Sequence, residues 1–153
     1  MSEIVALTGN DVTKINDRIF SGFADGDCVK ITYPNDLVIV KTGKNGNSLY
    51  GFKNDGRQVD VTLRVVLGSA DDKFLNNINS LMKNDFAAFT LMTGEFTKRV
   101  GDGNGNITAV TYILSGGVIS HQPEAVENAD GNTDQSLVVW SLKFSNAPRS
   151  IGN

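Results

Sequence analysis

In the stretch 59–65, Val59, Val61, Leu63 and Val65 alternate with Asp60, Thr62 and Arg64, a period of two held over seven positions. Side chains of a strand point to opposite faces in turn, so this segment is a strand with one buried and one polar face. The pattern returns near the end of the chain, where Val138, Trp140, Leu142 and Phe144 fall on one face. Two strands of this kind demand a sheet with a covered side, and the rest of the chain must supply both the other strands and the cover.

Further strand signals recur every ~8 to 15 residues, each closed by turn chemistry, as in an all-β sandwich or barrel. The 16 Gly, together with many Asn, Asp and Thr, populate such turns. Residues 28–33 alternate after Asp25-Gly26, and Pro34-Asn35-Asp36 re-aims the chain into the apolar run 37–40, as a corner or a hairpin. A polar loop at 43–47 leads to Leu49-Tyr50-Gly51-Phe52 and the turn Asn54-Asp55-Gly56. Strands resume at 89–98, pass a loose tip at 101–106 into 107–114, and meet Gly116-Gly117, a bulge or sharp bend before 118–120. Pro148 is expected to end the last strand.

One segment breaks the period of two. Phe74, Leu75, Ile78, Leu81 and Met82 are spaced by one, three and four, which places them on one side of a helix at about residues 70–84. Ser69 is its candidate N-cap, and Asp71 and Asp72 in the first turn suit the positive end of the helix dipole. The fold class is therefore mainly β with one flanking helix, in a single domain over residues 1–153, a length sufficient for one core without metal or disulfide.

Composition excludes several function classes. An apolar share of 40% and a charged share of 20% describe a chain that works in water, with no run approaching the ~20 apolar residues of a membrane span, so no membrane insertion is expected. The start, Met1-Ser2-Glu3-Ile4-Val5-Ala6-Leu7, lacks the basic and sustained apolar regions of a secretion signal, and the lone Cys28 cannot form an internal disulfide; synthesis in a cytoplasm follows. The net charge of −3 is interspersed, unlike the basic patches that grip phosphates.

Motifs that resemble chemical sites fail on their spacing. Asp102-Gly103-Asn104-Gly105-Asn106 begins like a calcium loop, but Ile107 stands where Gly is required and Ile113 where a bidentate Glu is required. Gly43-Lys44 lacks the upstream Gly and the following Ser or Thr of a phosphate loop. Asn106-Ile107-Thr108 fits a glycosylation acceptor only for a secreted chain. His121, the only histidine, has no Cys or His nearby and reads as a solvated strand-end residue; Cys28 reads as a small buried or half-buried side chain. Trp140, Phe89, Phe96, Tyr112 and Phe144 fit core packing better than a stacking platform for bases. No catalytic residue, metal ligand or cofactor site is expected, and the chain is read as non-enzymatic.

Four stretches carry a resemblance: Phe23-Ala24-Asp25-Gly26-Asp27 running on to Tyr33-Pro34-Asn35-Asp36-Leu37-Val38; Lys41-Thr42-Gly43-Lys44-Asn45-Gly46-Asn47-Ser48; Gly68-Ser69-Ala70-Asp71-Asp72-Lys73-Phe74-Leu75-Asn76; and Phe144-Ser145-Asn146-Ala147-Pro148-Arg149. With Met92-Thr93-Gly94-Glu95-Phe96 and Thr133-Asp134-Gln135-Ser136, in this order and spacing, they resemble the tail tube subunits of contractile-tailed bacteriophages, from about Ile15 to Arg149. The resemblance implies two packed antiparallel sheets with a flanking helix. It further implies hexameric rings joined edge to edge and stacked into a hollow tube that DNA traverses during ejection. The implied partners are other copies of the chain and the sheath, baseplate and tail-terminator proteins, and the implied location is the virion tail. An open sheet edge recruits another chain, and a closed ring removes it.

Within that frame, residues 41–57, with four glycines and few core-type residues, form a candidate protruding hairpin or loop reaching the adjacent ring, through Lys41, Lys44, Asn45, Asn47, Tyr50, Lys53 and Arg57. The polar faces holding Asp60 and Thr62, and Thr93, Glu95 and Thr97, are lumen candidates; Arg64 opposes the first unless an acid neutralises it. A neutral or acidic bore lets DNA pass without adhering. Two alternatives stand beside this reading. One is a tube subunit of a phage-like bacteriocin or secretion device; the other is a free-standing β-sandwich binding module, which would need Trp140 exposed beside other aromatics, although Val138 and Leu142 predict its burial.

Overall fold

The computed structural model describes residues 3–152; Met1 and Ser2, where the reading for a secretion signal begins, and Asn153 lie outside the described residues. Among the described residues are the strands β1 (Ala6–Leu7), β2 (Val12–Ile15), β3 (Arg18–Ile19), β4 (Val29–Thr32), β5 (Val38–Thr42), β6 (Ser48–Phe52), β7 (Val59–Val66), β8 (Met92–Gly101), β9 (Ile107–His121), β10 (Leu137–Asn146) and β11 (Arg149–Gly152). One α-helix, α1 (Ala70–Asn84), lies between β7 and β8. The protein is mainly β, with a large antiparallel sheet ordered β3-β2-β8-β9-β10-β7-β4 and a small β5-β6 sheet. The large sheet does not close into a barrel.

The core forms where the two alternating stripes meet. β7 and β10 pair antiparallel with Val65 opposite Val138, Leu63 opposite Trp140, Val61 opposite Leu142 and Val59 opposite Phe144. All eight side chains are buried, and Leu75 and Ile78 of α1 close over them. Trp140 is 1% exposed. Its indole N–H donates to Asp72 Oδ1 at 2.9 Å, so the one polar atom of the largest core residue is satisfied by the helix that covers it.

The N-terminus of α1 is built as its sequence predicts, and the acids there do more than complement the dipole. Ser69 Oγ accepts from the Asp72 backbone N–H, and Asp72 Oδ2 accepts from the Gly68 N–H at 2.9 Å. Asp71 is buried, accepts from the backbone N–H groups of Ser21 and Gly22 at 2.9 and 2.6 Å, and pairs with Arg18 Nε at 3.1 Å. One carboxylate thus ties the loop after β3 to the helix.

Several sequence expectations change in the structure. The turn at 34–36 makes a corner rather than a hairpin, because β4 pairs with β7 while β5 pairs with β6. Pro148 does not end the fold: it lacks an N–H to donate, but its carbonyl accepts from Ile113, and β11 continues beside β9. β1, β2 and β3 carry too few residues for their alternation to stand out. Leu81, placed by periodicity on the buried side of α1, is 64% exposed, since the last turn of the helix overhangs a hollow instead of the sheet.

The bend at Gly116-Gly117 is a β-bulge. Met92 faces Gly117 but Gly94 faces Leu114, so β9 carries one extra residue there, and Gly116 takes φ 67°. A Cβ on Gly117 would lie 2.3 Å from the Phe144 ring, so only glycine admits that ring.

Replacing Asp71 by Ala strands two backbone N–H groups and a guanidinium, and is expected to cost about 3 kcal/mol or more. The measurement is the urea midpoint, which falls with an unchanged slope. Arg18→Ala should cost less, because the guanidinium is partly in water.

Candidate assembly surfaces

The small sheet is the least self-sufficient part of the molecule. Val38 faces Phe52 and Val40 faces Tyr50, so one side of the hairpin presents four apolar side chains, exposed by 45, 61, 58 and 74% respectively. Ile39 and Leu49 are exposed on the other side. Two strands alone are marginal in water, and a contiguous apolar patch of this kind marks an interaction site.

The hairpin also has both edges open. The Gly43 N–H donates to Asn47 O and the Lys53 N–H to Leu37 O. Antiparallel alternation then turns the backbone groups of Val38 and Val40, and of Tyr50 and Phe52, away from each other. The large sheet has an open border of the same kind: the Arg64 N–H donates to Cys28 O, which leaves Val29 and Ile31 of β4 with outward-facing backbone groups.

The candidate contact residues separate along this hairpin. Lys44, Asn45 and Asn47 form its tip, with Asn45 at φ 69°. Lys41 and Tyr50 sit on its strands. Lys53 and Arg57 belong to the base, where Arg57 stacks over Phe52 at 5.9 Å and Lys53 lies 3.9 Å from Asp55. Gly56 is buried there, because a Cβ would meet Asp36 O at 2.8 Å. The paired hairpin spans residues 38–52, so it starts before the candidate segment 41–57 and ends before it.

The lumen candidates share one face of the large sheet in two groups, with β9 and β10 between them. Asp60 and Thr62 point away from the core by alternation in β7, as do Thr93, Glu95 and Thr97 in β8, where Met92 and Gly94 take the core side. The face they share lies opposite α1. Thr97 Oγ1 donates to Glu95 Oε1 at 3.2 Å. Arg64 meets the acid it needs in Asp25, with Nη2 at 3.3 Å from Oδ1.

The face is nevertheless not purely neutral or acidic. Register adds Lys30, which faces Thr62, Lys14, which faces Glu95, and Lys143, whose Nζ is 3.7 Å from Asp60 Oδ1. Alternation could have placed Lys30 and Lys143 from the sequence, since each stands between two core-facing residues. Lys14 could not be placed without β2.

No family model and no curated protein sequence matches the chain. Solved structures do. A chain from the cryo-EM structure of an extracellular contractile injection system, the PVC sheath/tube terminator in its extended state, is similar over 95% of this chain and 94% of its own, with a TM-score of 0.56 and 13% identity. A chain of the PVC sheath-tube complex in the extended state is similar over 93% and 87%, with a TM-score of 0.56 and 14% identity. At such identities the likeness establishes a shared fold, here over nearly the full length of both chains.

The motifs set aside in the sequence have structural roles. Asp102 Oδ1 accepts from the backbone N–H groups of Asn104 and Asn106, and Oδ2 accepts from Asn106 Nδ2 at 2.8 Å, so the carboxylate fastens the β8-β9 tip. His121 is exposed at the end of β9, and Cys28 is half-buried just before β4. Phe96 and Tyr112 are partly exposed partners across β8 and β9, 6.1 Å apart, rather than core residues. Among the described residues no three His, Cys, Asp or Glu side chains cluster as metal ligands, and no helix is long and apolar enough to cross a membrane.

The Asn106 side-chain bond, aided by the Asn104 N–H, holds the Asp102 carboxyl below the ordinary carboxylate range. A depressed folded value means that the ordering of the tip is complete above the ordinary carboxylate pKa and is lost as pH falls through the lowered one. NMR titration should show Asp102 protonating below the ordinary carboxylate range, with the Asn104 and Asn106 amides moving in step; Asn106→Ala should bring that transition back up.

Proposed function

We propose that this chain is the tube subunit of a contractile tail, and that it forms hexameric rings stacked around a channel through which DNA passes during ejection. The observation that carries the reading is the β5-β6 hairpin, apolar on one side and open at both edges, which a free monomer leaves in water. A tube supplies what it lacks, since stacked copies can cover the hairpin. The fold likeness to sheath and tube components of a contractile injection system supports the same assignment.

In this reading the hairpin reaches the adjacent ring, with Lys44, Asn45 and Asn47 leading, Lys41 and Tyr50 along the strands, and Lys53 and Arg57 bracing the base. The open borders of the large sheet serve ring closure. The face bearing Asp60, Thr62, Thr93, Glu95 and Thr97 lines the bore. Three of its bases lie near acids, Lys143 near Asp60, Arg64 beside Asp25 and Lys14 across from Glu95, while Lys30 faces Thr62 and Arg99 faces Ala109. Paired charges hold a passing phosphate less strongly than free ones. The α1 side then faces outward, toward a sheath, with baseplate and terminator at the two ends of the tube in the virion tail. Such a subunit holds a shape and performs no catalysis.

Because the similar solved chains come from an extracellular injection system, a tube in a phage-like secretion device is the second reading. Trp140 is buried, so it is not the exposed aromatic on which the reading as a free-standing binding module rested.

Negative-stain micrographs of the purified protein decide. Hollow rods are expected, and a monomer persisting at high concentration would overturn the proposal. Deleting residues 43–47 should leave a folded protein, with unchanged Trp140 emission, that no longer elongates; rods of normal length from that deletion would refute the role of the tip.

A further inference from the structure

A second unpartnered apolar surface lies at the other side of the molecule. The last turn of α1 and the segment after it enclose a hollow of about 350 Å³, walled by Ile78, Leu81, Ala88 and Phe89, with Asn84 and Asp85 on its rim. Leu81 is exposed there, as are Phe86 and Leu91 in the same stretch of chain. Nothing in the fold of a single copy covers it.

The topology sets this hollow and the hairpin apart. The large sheet runs from β3 and β2 to β4. Asn16, which follows β2, also lines the hollow, whereas the hairpin grows from the β4 border. A contact between the two surfaces must therefore join different copies in a head-to-tail sense, and such a contact propagates when it does not close. Propagation is what ring-on-ring stacking requires.

Chemistry selects the anchor. Phe52 already has Arg57 over its ring, while Tyr50 is the most exposed of the apolar side chains and carries no such partner. A tyrosine brings an apolar body for Ile78, Leu81 and Phe89 and a hydroxyl for Asn84 or Asp85, and a buried aromatic in a pocket is the usual energetic centre of an interface. The charges agree as well: Lys44 lies at the hairpin tip beyond Tyr50, and Asp85 lines the hollow.

Resting on the tube reading, we propose that the apolar side of the β5-β6 hairpin of one copy seats on a copy in the adjoining ring, with Tyr50 entering the hollow formed by Ile78, Leu81, Ala88 and Phe89.

The test uses two full-length variants, Tyr50→Asp and Leu81→Asp, each with a broken half of the contact. Both positions are exposed, and circular dichroism and thermal melting should confirm native folding. Alone, neither variant should elongate. Mixed in equal amounts, the intact hairpin of the Leu81→Asp protein should join the intact hollow of the Tyr50→Asp protein once, doubling the particle mass by light scattering and then stopping. Folded variants that give no doubling would overturn the pairing, as would a Leu81→Asp protein that builds rods like the wild type. Wild-type protein that never elongates would instead defeat the tube reading itself.

Discussion

The structure depends on the antiparallel match of β7 with β10. These two strands carry the alternating stripes, their register sets four apolar pairs in line, and the strip they make is what α1 must cover. The Trp140 indole bond to Asp72 fixes how the helix lies, because a buried indole N–H without an acceptor would cost about 1–3 kcal/mol. Asp71 extends the same anchoring to the segment after β3, which runs beside β7, by holding the Ser21 and Gly22 backbone. Two adjacent carboxylates therefore attach the helix to a strand on one side and to a loop on the other.

With one face of the sheet committed to the helix, the other carries the polar side chains. Its residues are fixed by strand parity and not by any local clustering, which is why polar side chains from distant parts of the chain arrive on it together. The same logic accounts for the hairpin. Its strands have the β-branched and aromatic residues that suit a pleated surface, yet no helix or second layer of this chain reaches them. Sequence alone presents them as ordinary strands; only the exposure of Val38, Val40, Tyr50 and Phe52 shows that a single copy leaves them uncovered.

What was legible in the sequence followed the strength of its periodicity. Val59 to Val65, the stripe through Trp140 and the capped helix were readable because each repeats its pattern for two turns or more, or carries a cap residue at the required spacing. The short β1, β2 and β3 offer two to four residues each, too few to establish a period, and with them Lys14 was missed. β11 was hidden behind Pro148, whose missing N–H suits a strand entry as well as a strand end. Leu81 is a different failure: its helical spacing is correct, but spacing cannot tell where the neighbouring layer stops. The β5-β6 hairpin was legible only as a region, since turn-rich composition marks a loop or hairpin without stating which of its side chains are exposed.

The bulge at Gly116 lets a single strand serve two neighbours. β9 pairs with β8 along most of its length, while its second half is flanked by β10 and its first half by β11. Fifteen residues in extended form reach about 50 Å, so this one segment of backbone spans nearly the whole molecule. Tension applied along it is carried in shear by many rungs at once, not peeled from one end. A strand held along its length in this way acts as a tie rod.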